Sequence, residues 1–227
     1  MSDSVSPAPV PSHAPAAKRR RAGAATGPGQ REARQAAILA AALAKFTEHG
    51  YAATRLEDVA RAAGVAKGTL YLYFPDKQAL FEAVVKDTVA PALSDAAALL
   101  PAYQGTTREL LHAMSEILIS RIVEGPARGI LLLMIAEGPR FPELAAFHHR
   151  EVVARGMALI RAIAERGLAR GEITSDAAVR FPQIVIAPAM TSLVWNSLFA
   201  HIAPLDVRAF IQTYRDVLLR GLGSTDA

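Results

Sequence analysis

Residues 54–76 read TRLEDVARAAGVAKGTLYLYFPD, and this stretch decides the fold. Gly64 lies near its middle, and a Phe-Pro pair closes it at Pro75. Glycine permits a tight turn, and proline disfavours helix in the residue before it. The stretch therefore predicts two short helices joined at the glycine, the first over about 56–63 and the second within 67–73.

The residues before this stretch predict a longer helix, from about Arg31 to His49. Its apolar face is formed by residues three and four positions apart, namely Ile38, Leu39, Ala42, Leu43 and Phe46. We expect Gly50 to end this helix. Thr54 and Glu57 then have the spacing of a capping box, in which each side chain satisfies the other residue's backbone amide.

The chain after Pro91 consists of Ala-, Leu- and Ile-rich segments separated by Gly and Pro breaks. The segments predict helices near 106–123, 127–136, 142–169, 176–201 and 205–220. Pro182 and Pro188 lie in the fourth segment, so we expect that helix to begin late or to be kinked. No alternating pattern typical of strands occurs, and the sequence predicts an all-α protein.

The two short helices predict a helix-turn-helix, whose second helix enters the major groove of DNA. Ala60 is small where the helices cross, and Val65 and Leu70 fill a small core. The second helix then exposes a lysine, hydroxyls and aromatic rings with almost no acid. Such side chains contact phosphates, thymine methyls and base edges. Short helix pairs joined by glycine also occur without DNA binding, with the tyrosines as half-buried surface rings.

From Ile38 to Val85 the chain resembles the TetR family of transcriptional regulators. The matching residues, in the family's order and spacing, are Ile38–Ala42, Phe46, Gly50, Tyr51, Thr54–Ala60, Ala63–Phe74, Asp76, Lys77, Leu80 and Phe81. The resemblance implies a three-helix DNA-binding module and a helical domain that binds a ligand and dimerises. We expect a disordered basic arm at 1–29, the helix-turn-helix domain at 30–76, and the ligand-binding and dimerisation domain at 77–227.

The resemblance also implies which side chains contact DNA. The recognition helix supplies Lys67, Gly68, Thr69, Tyr71 and Tyr73, the first three at its start. Lys77 matches a frequent phosphate contact. Thr54 and Arg55 begin the preceding helix, where backbone amides and the helix dipole favour a phosphate. Leu72 departs from the polar or aromatic residue that is often found at its position, and a leucine there is able to pack inward.

The basic charge of the chain is concentrated near its N-terminus. Residues 1–35 contain six Lys and Arg and two Asp and Glu, so their net charge equals the +4 of the whole chain. We expect Lys18, Arg19, Arg20 and Arg21 to contact phosphates or the minor groove without reading sequence. The alternative is a solvated tail.

Composition excludes several classes of protein. The chain has no cysteine, which removes disulfides, thiolate metal sites and cysteine nucleophiles and fits a reducing compartment. No apolar run reaches the ~18 residues of a membrane helix, and no secretory signal core is present, so we expect a cytoplasmic, nucleoid-associated protein. We expect neither cofactor nor metal. Glu143, His148, His149 and Glu151 suggest a metal site, but adjacent histidines point about 100° apart on a helix, and exposed polar side chains are the preferred interpretation.

Flexible and aromatic residues on the later helices are candidates for a pocket that would bind a largely apolar small molecule. They are Met114, Leu118, Leu132, Met134, Ile135, Met157, Trp195 and Phe199, although such residues commonly form only a core. The last two helices carry more apolar residues than one domain must bury, which predicts a homodimer through a four-helix bundle. The candidates are Leu193, Val194, Leu198, Ile202, Phe210, Ile211, Tyr214, Val217 and Leu218.

The preferred interpretation is therefore a repressor that binds double-stranded DNA at an inverted-repeat operator and is released by the ligand. An enzyme is disfavoured because the sequence lacks a nucleophile elbow, a phosphate loop and a metal cluster. A non-specific DNA binder driven by the basic arm remains open, as do an activator and a member without a ligand.

Overall fold

The computed structural model describes residues 28–224, and every regular element in that range is helical. The N-terminal helices are α1 (Pro28–Ala53), α2 (Leu56–Ala62), α3 (Lys67–Tyr73) and the long α4 (Lys77–Ala102). The later helices are α5 (Thr107–Ile117), α6 (Ala127–Glu137), α7 (Pro142–His148), α8 (Ala154–Ala169), α9 (Ala177–Arg180), α10 (Gln183–Phe199) and α11 (Val207–Gly221). The all-α prediction is confirmed.

Two of the helices continue as π-helical turns. The first turn, Leu118–Val123, extends α5, and the second, His149–Val153, joins α7 to α8. The expected helix at 176–201 is divided into α9 and α10 because Pro182 begins the second of them. Pro188 lies within α10.

The end of α1 differs from the prediction. The helix continues to Ala53 across a break at Gly50, where φ is 79°. The capping box predicted for Thr54 and Glu57 is wrong. Thr54 is buried, and its hydroxyl donates to the carbonyl oxygens of Lys45 and Gly50 at 3.0 and 2.6 Å. The hydroxyl therefore satisfies the end of α1, and no side chain caps the start of α2.

One apolar core joins the helix-turn-helix to the later helices. Phe46, Tyr51 and Phe81 form its aromatic centre, with ring centroids 5.6–5.7 Å apart. Ile130 of α6 and Leu144 of α7 are fully buried in the same cluster. The apolar area that stabilises the DNA-binding module is thus shared with α6 and α7, so a shift of these helices acts directly on the module.

Candidate nucleic-acid interface and ligand cavity

The turn between α2 and α3 holds the two helices in a fixed crossing. Gly64 adopts φ 67°, a conformation that side-chain-bearing residues rarely take. The Val65 amide donates to the Ala60 carbonyl at 3.0 Å, and Ala60 and Leu70 are buried where the helices meet. The small core predicted for the helix-turn-helix is therefore present, and one face of α3 is fixed against α2.

The opposite face of α3 is open. Tyr71 is 42% exposed and Leu72 81% exposed, while Lys67 and Gly68 also lie on the surface. Leu72 therefore points outward and does not pack into the core. An exposed leucine on a recognition helix can make a favourable apolar contact with a group such as a thymine methyl.

Lys67 is held by a neighbour on α2. Its Nζ lies 2.5 Å from a carboxylate oxygen of Glu57 and 5.9 Å from the centre of the Tyr71 ring. The hydrogen bond and charge of Glu57 raise the pKa of Lys67, and the same pair lowers the pKa of Glu57. Both groups are exposed, so an approaching phosphate can compete with Glu57 for the lysine.

Three other predicted DNA contacts are turned toward the protein. Tyr73 is half-buried and its hydroxyl donates to the Arg31 carbonyl at 3.3 Å. Lys77 Nζ donates to the carbonyl oxygens of Tyr51, Ala52 and Thr54, at 2.7, 3.0 and 3.2 Å. Burial lowers the pKa of Lys77. The Thr54 hydroxyl and the Lys77 ammonium thus satisfy carbonyl oxygens at the end of α1, whereas Tyr73 bonds near its start. DNA contact by these three side chains stays a prediction.

Two further predicted contacts also reach the surface. Arg55 is exposed at the N-cap of α2, and Thr69 is partly exposed on α3. The basic cluster Lys18–Arg21 lies outside the residues that the structure describes.

Two adjoining apolar cavities lie among the later helices. The small cavity, about 110 Å³, is lined by residues of α4, α5, α8, α10, α11 and the first π turn. The large cavity, about 540 Å³, is lined by residues of α4, α6, α8 and α10, by His148 and by both π turns. The residues that line both are Leu93, Leu118, Ile122, Gly156 and Ile186. The shared wall makes the two cavities neighbouring parts of one apolar region, and π turns recur at functional sites.

Most of the predicted pocket residues line these cavities, and some do not. Met114 lines the small cavity, Leu118 lines both, and Met134, Ile135 and Met157 line the large one. Leu132 lines neither cavity. Trp195 and Phe199 are also outside: they are 42% and 40% exposed, with ring centroids 5.1 Å apart. These last three residues line neither of the two cavities, and a role for them in ligand binding stays a prediction.

Two polar wall residues were not predicted as pocket residues. His148 was expected to be exposed, but it is only 6% exposed and lines the large cavity. Arg215 lines the small cavity, where its guanidinium donates to Ser115 at 3.3 Å. Helical spacing alone does not reveal such residues, because their placement at a cavity depends on helices that are distant in sequence.

Helix α6 connects the large cavity to the DNA-binding module. Met134 and Ile135 line the cavity, and Glu137 ends the same helix. The Glu137 carboxylate accepts hydrogen bonds from the amides of Tyr51 and Ala52, at 3.0 and 2.9 Å. One helix therefore contributes both to the wall of the large cavity and to the hydrogen bonds at the end of α1.

An apolar surface lies on α10, α11 and the residues after α10. Its exposed side chains are Val194, Trp195, Leu198, Phe199, Ile202 and Val217. Four of the predicted interface residues make contacts within the chain, and their part in an interface stays a prediction. Leu193 and Ile211 are buried within the chain, Tyr214 donates to the Ile184 carbonyl, and Leu218 lines the small cavity. Phe210 is partly exposed.

The described residues carry neither a membrane-spanning helix nor a cluster for metal binding. None of the helices within 28–224 is long and apolar enough to cross a bilayer. In the same range no three His, Asp or Glu side chains are placed to share a metal ion.

The geometry defines a class of protein: a helix-turn-helix DNA-binding protein whose module is packed on a helical domain with an apolar cavity. The family model of bacterial regulatory proteins of the tetR family matches residues 38–84, and that of the tetracyclin repressor-like C-terminal domain matches 101–217. The chain belongs to the TetR family of transcriptional regulators and is not an enzyme. Regulators of this family bind operator DNA and small-molecule effectors.

Individual relatives agree with this assignment. The transcriptional regulator RutR of Escherichia coli K12 is 50% identical over 54 residues, which span 24% of this chain and 26% of RutR. The match thus covers about a quarter of RutR. Bacillus subtilis FadR in complex with stearoyl-CoA has a TM-score of 0.66 at 20% identity, over 82% of this chain and 98% of FadR. The SmeT–triclosan complex has a TM-score of 0.67 at 21% identity, over 86% and 93%. At these sequence identities, the similarity to the two structures is a similarity of fold alone.

Proposed function

We propose that this regulator is a homodimeric repressor that leaves an inverted-repeat operator when a largely apolar molecule enters the cavities. The observation that carries the proposal is the position of α6: its side chains line the large cavity, and its last residue holds the end of α1. Ligand binding and the contact with the DNA-binding module are thus assigned to side chains of one helix.

The proposal assigns DNA reading to the open face of α3 and the start of α2. Lys67, Tyr71 and Leu72 offer a cation, a ring and an apolar side chain to the major groove, and Arg55 offers a cation to the backbone. We further propose that Lys18–Arg21 strengthen binding without reading sequence, through phosphate or minor-groove contacts.

The proposal assigns the apolar surface on α10 and α11 to a second copy of the chain. Leu198 and Val217 are 56% and 53% exposed, and Ile202 is 74% exposed. Two such surfaces related by a two-fold axis would form a four-helix bundle. A two-fold dimer places its two recognition helices on inverted half-sites one helical turn apart.

The ligand class follows from the cavity walls, which are overwhelmingly aliphatic. The triclosan complex of one structurally similar protein, and the acyl chain of stearoyl-CoA in the complex of another, support a largely apolar effector by analogy of fold. Entry of such a molecule would displace α6. The displacement would reach the Glu137 contact because this contact and the cavity wall belong to the same rigid helix.

The experiment has two stages. First, the protein selects duplexes from a random library, and the proposal predicts an enriched inverted repeat bound as a dimer. Triclosan is then titrated against the selected complex, and fluorescence anisotropy should report release. Gly156→Leu, which places a side chain between the two cavities, should bind the duplex but lose the response. Gly221→Leu is the control, since space around residue 221 is open. A single half-site, or release that Gly156→Leu leaves unchanged, contradicts the proposal.

A further inference from the structure

The large cavity has one buried polar side chain in its wall. Of the residues that line it, His148 and Gln183 alone carry polar side chains. Gln183 is exposed, whereas His148 is 6% exposed. The Nδ1 atom of His148 is buried and has no hydrogen-bond partner within residues 28–224. Buried polar atoms in proteins are nearly always paired, so an unpaired one beside a cavity indicates a partner supplied from outside the chain.

The imidazole is suited to an uncharged partner. Burial, and next to it the charge of His149, lowers the pKa of His148, so the ring is neutral at pH 7. A neutral imidazole offers one donor and one acceptor. No Lys or Arg is among the residues that line the large cavity. A carboxylate would therefore lose its hydration there without gaining an opposite charge.

We infer that His148 is the specificity-determining anchor of the large cavity and that its Nδ1 pairs with a hydroxyl of an otherwise apolar, uncharged effector such as an alkylphenol. The inference rests on the proposed function and deepens it by naming the chemistry of the ligand. The aliphatic wall supplies affinity by excluding water, and His148 selects molecules that carry one neutral polar group. Phenols are preferred over the corresponding hydrocarbons and carboxylic acids.

The test compares 4-butylphenol with butylbenzene, which differ by one hydroxyl. Their dissociation constants are measured by calorimetry with the full-length protein and with His148→Phe and His148→Asn. Without an anchor the hydrocarbon binds better, because a buried hydroxyl without a partner loses its hydration. The ratio of the two affinities should therefore shift toward butylbenzene by about tenfold in His148→Phe. His148→Asn keeps a polar atom near the position of Nδ1, so its ratio of affinities for the two compounds should lie close to that of the parent protein.

The outcomes separate this inference from the proposed function. If the parent and His148→Phe show the same ratio while both compounds bind, the anchor is wrong and the apolar effector cavity stands. If neither compound binds the parent protein, the anchor falls together with the cavity proposal. Thermal melting of both variants checks the fold. Removal of an unpaired buried nitrogen should leave His148→Phe at least as stable as the parent, so lost binding would not reflect unfolding.

Discussion

Glu137 and Tyr51 are 86 residues apart in sequence, and a carboxylate oxygen of Glu137 lies 3.0 Å from the backbone amide of Tyr51. The Phe141 ring contacts the Tyr51 ring edge-on, with centroids 4.9 Å apart. A Cβ at position 50 would overlap the Glu137 carboxylate, so Gly50 is required both by its positive φ and by this contact. The end of α6 and the end of α1 are therefore joined by the Glu137 carboxylate and by the contact of the two rings.

Removal of this contact should uncouple the two parts of the chain. Glu137→Ala leaves two amides without their acceptor and should lower the free energy of unfolding by about 1–2 kcal/mol. Hydrogen exchange at Tyr51 and Ala52 should accelerate, and release of DNA by triclosan should weaken. Glu165→Ala, at an exposed position of α8, is the matched control. Unchanged exchange at these two amides would contradict the assigned role of Glu137.

A second carboxylate, that of Glu172, should make the stability of the fold depend on pH. Glu172 accepts a hydrogen bond from the Thr107 amide and another from Arg170 Nε, each at 2.6 Å. Burial by itself raises the pKa of Glu172, but the Thr107 hydrogen bonds and the charges of Arg170 and Arg166 outweigh it, and the net pKa is lowered.

A carboxyl whose pKa is lower in the folded state stabilises the fold above its unfolded pKa, and this contribution is lost as the pH falls through the folded pKa. Glu172→Gln should therefore have a clearly lower melting temperature than the parent at pH 7. The difference in melting temperature should narrow below the usual carboxyl pKa of about 4.3. Glu165→Gln should show no such convergence. Melting curves between pH 3 and 7 measure this difference. A difference that stays constant over that range would contradict a stabilising role of the Glu172 charge.

The proposed dimer makes a separate prediction. Leu198→Asp and Val217→Asp place a charge on the exposed apolar surface and should yield monomers with much weaker operator binding. Sedimentation velocity measures the change. Leu72→Asp makes the same substitution at a leucine on α3 that is more exposed than Leu198, and it should remain dimeric. A monomeric parent protein that binds its operator tightly would refute the bundle.

The sequence predicts the helices well because local signals mark their ends. Gly and Pro breaks place most of the helix boundaries within a few residues, and Asp76 caps α4 by accepting from the Ala79 amide at 2.7 Å. Thr54 was misassigned because two local structures compete for its hydroxyl. The extension of α1 past Gly50 brings carbonyl oxygens within reach, and they displace the capping box.

The cavity and its polar residue are harder to predict. His148 precedes a π turn, which rotates the following side chains relative to the regular helical period. Its burial depends on helices distant in sequence, since residues of α4, α6 and α10 surround the same cavity. Periodicity identifies apolar faces, but it does not indicate whether two faces meet tightly or leave space between them.

The central claim is that the open face of α3 reads DNA while its other face holds the module together. Tyr71→Ala should leave the free energy of unfolding within ~0.5 kcal/mol of the parent, and Lys67→Ala should leave the melting temperature nearly unchanged. Leu70 is fully buried, so Leu70→Ala should cost about 2–5 kcal/mol of stability and lose DNA binding only as a consequence.

The most direct test is titration of the selected operator with Tyr71→Ala and Lys67→Ala, beside melting curves for both variants and Leu70→Ala. Both surface variants should bind the operator about tenfold or more weakly while melting like the parent. Lys67→Ala should also show a smaller salt dependence of binding, as expected when a phosphate contact is lost. If both variants bind the operator with the affinity of the parent, α3 is not the recognition helix.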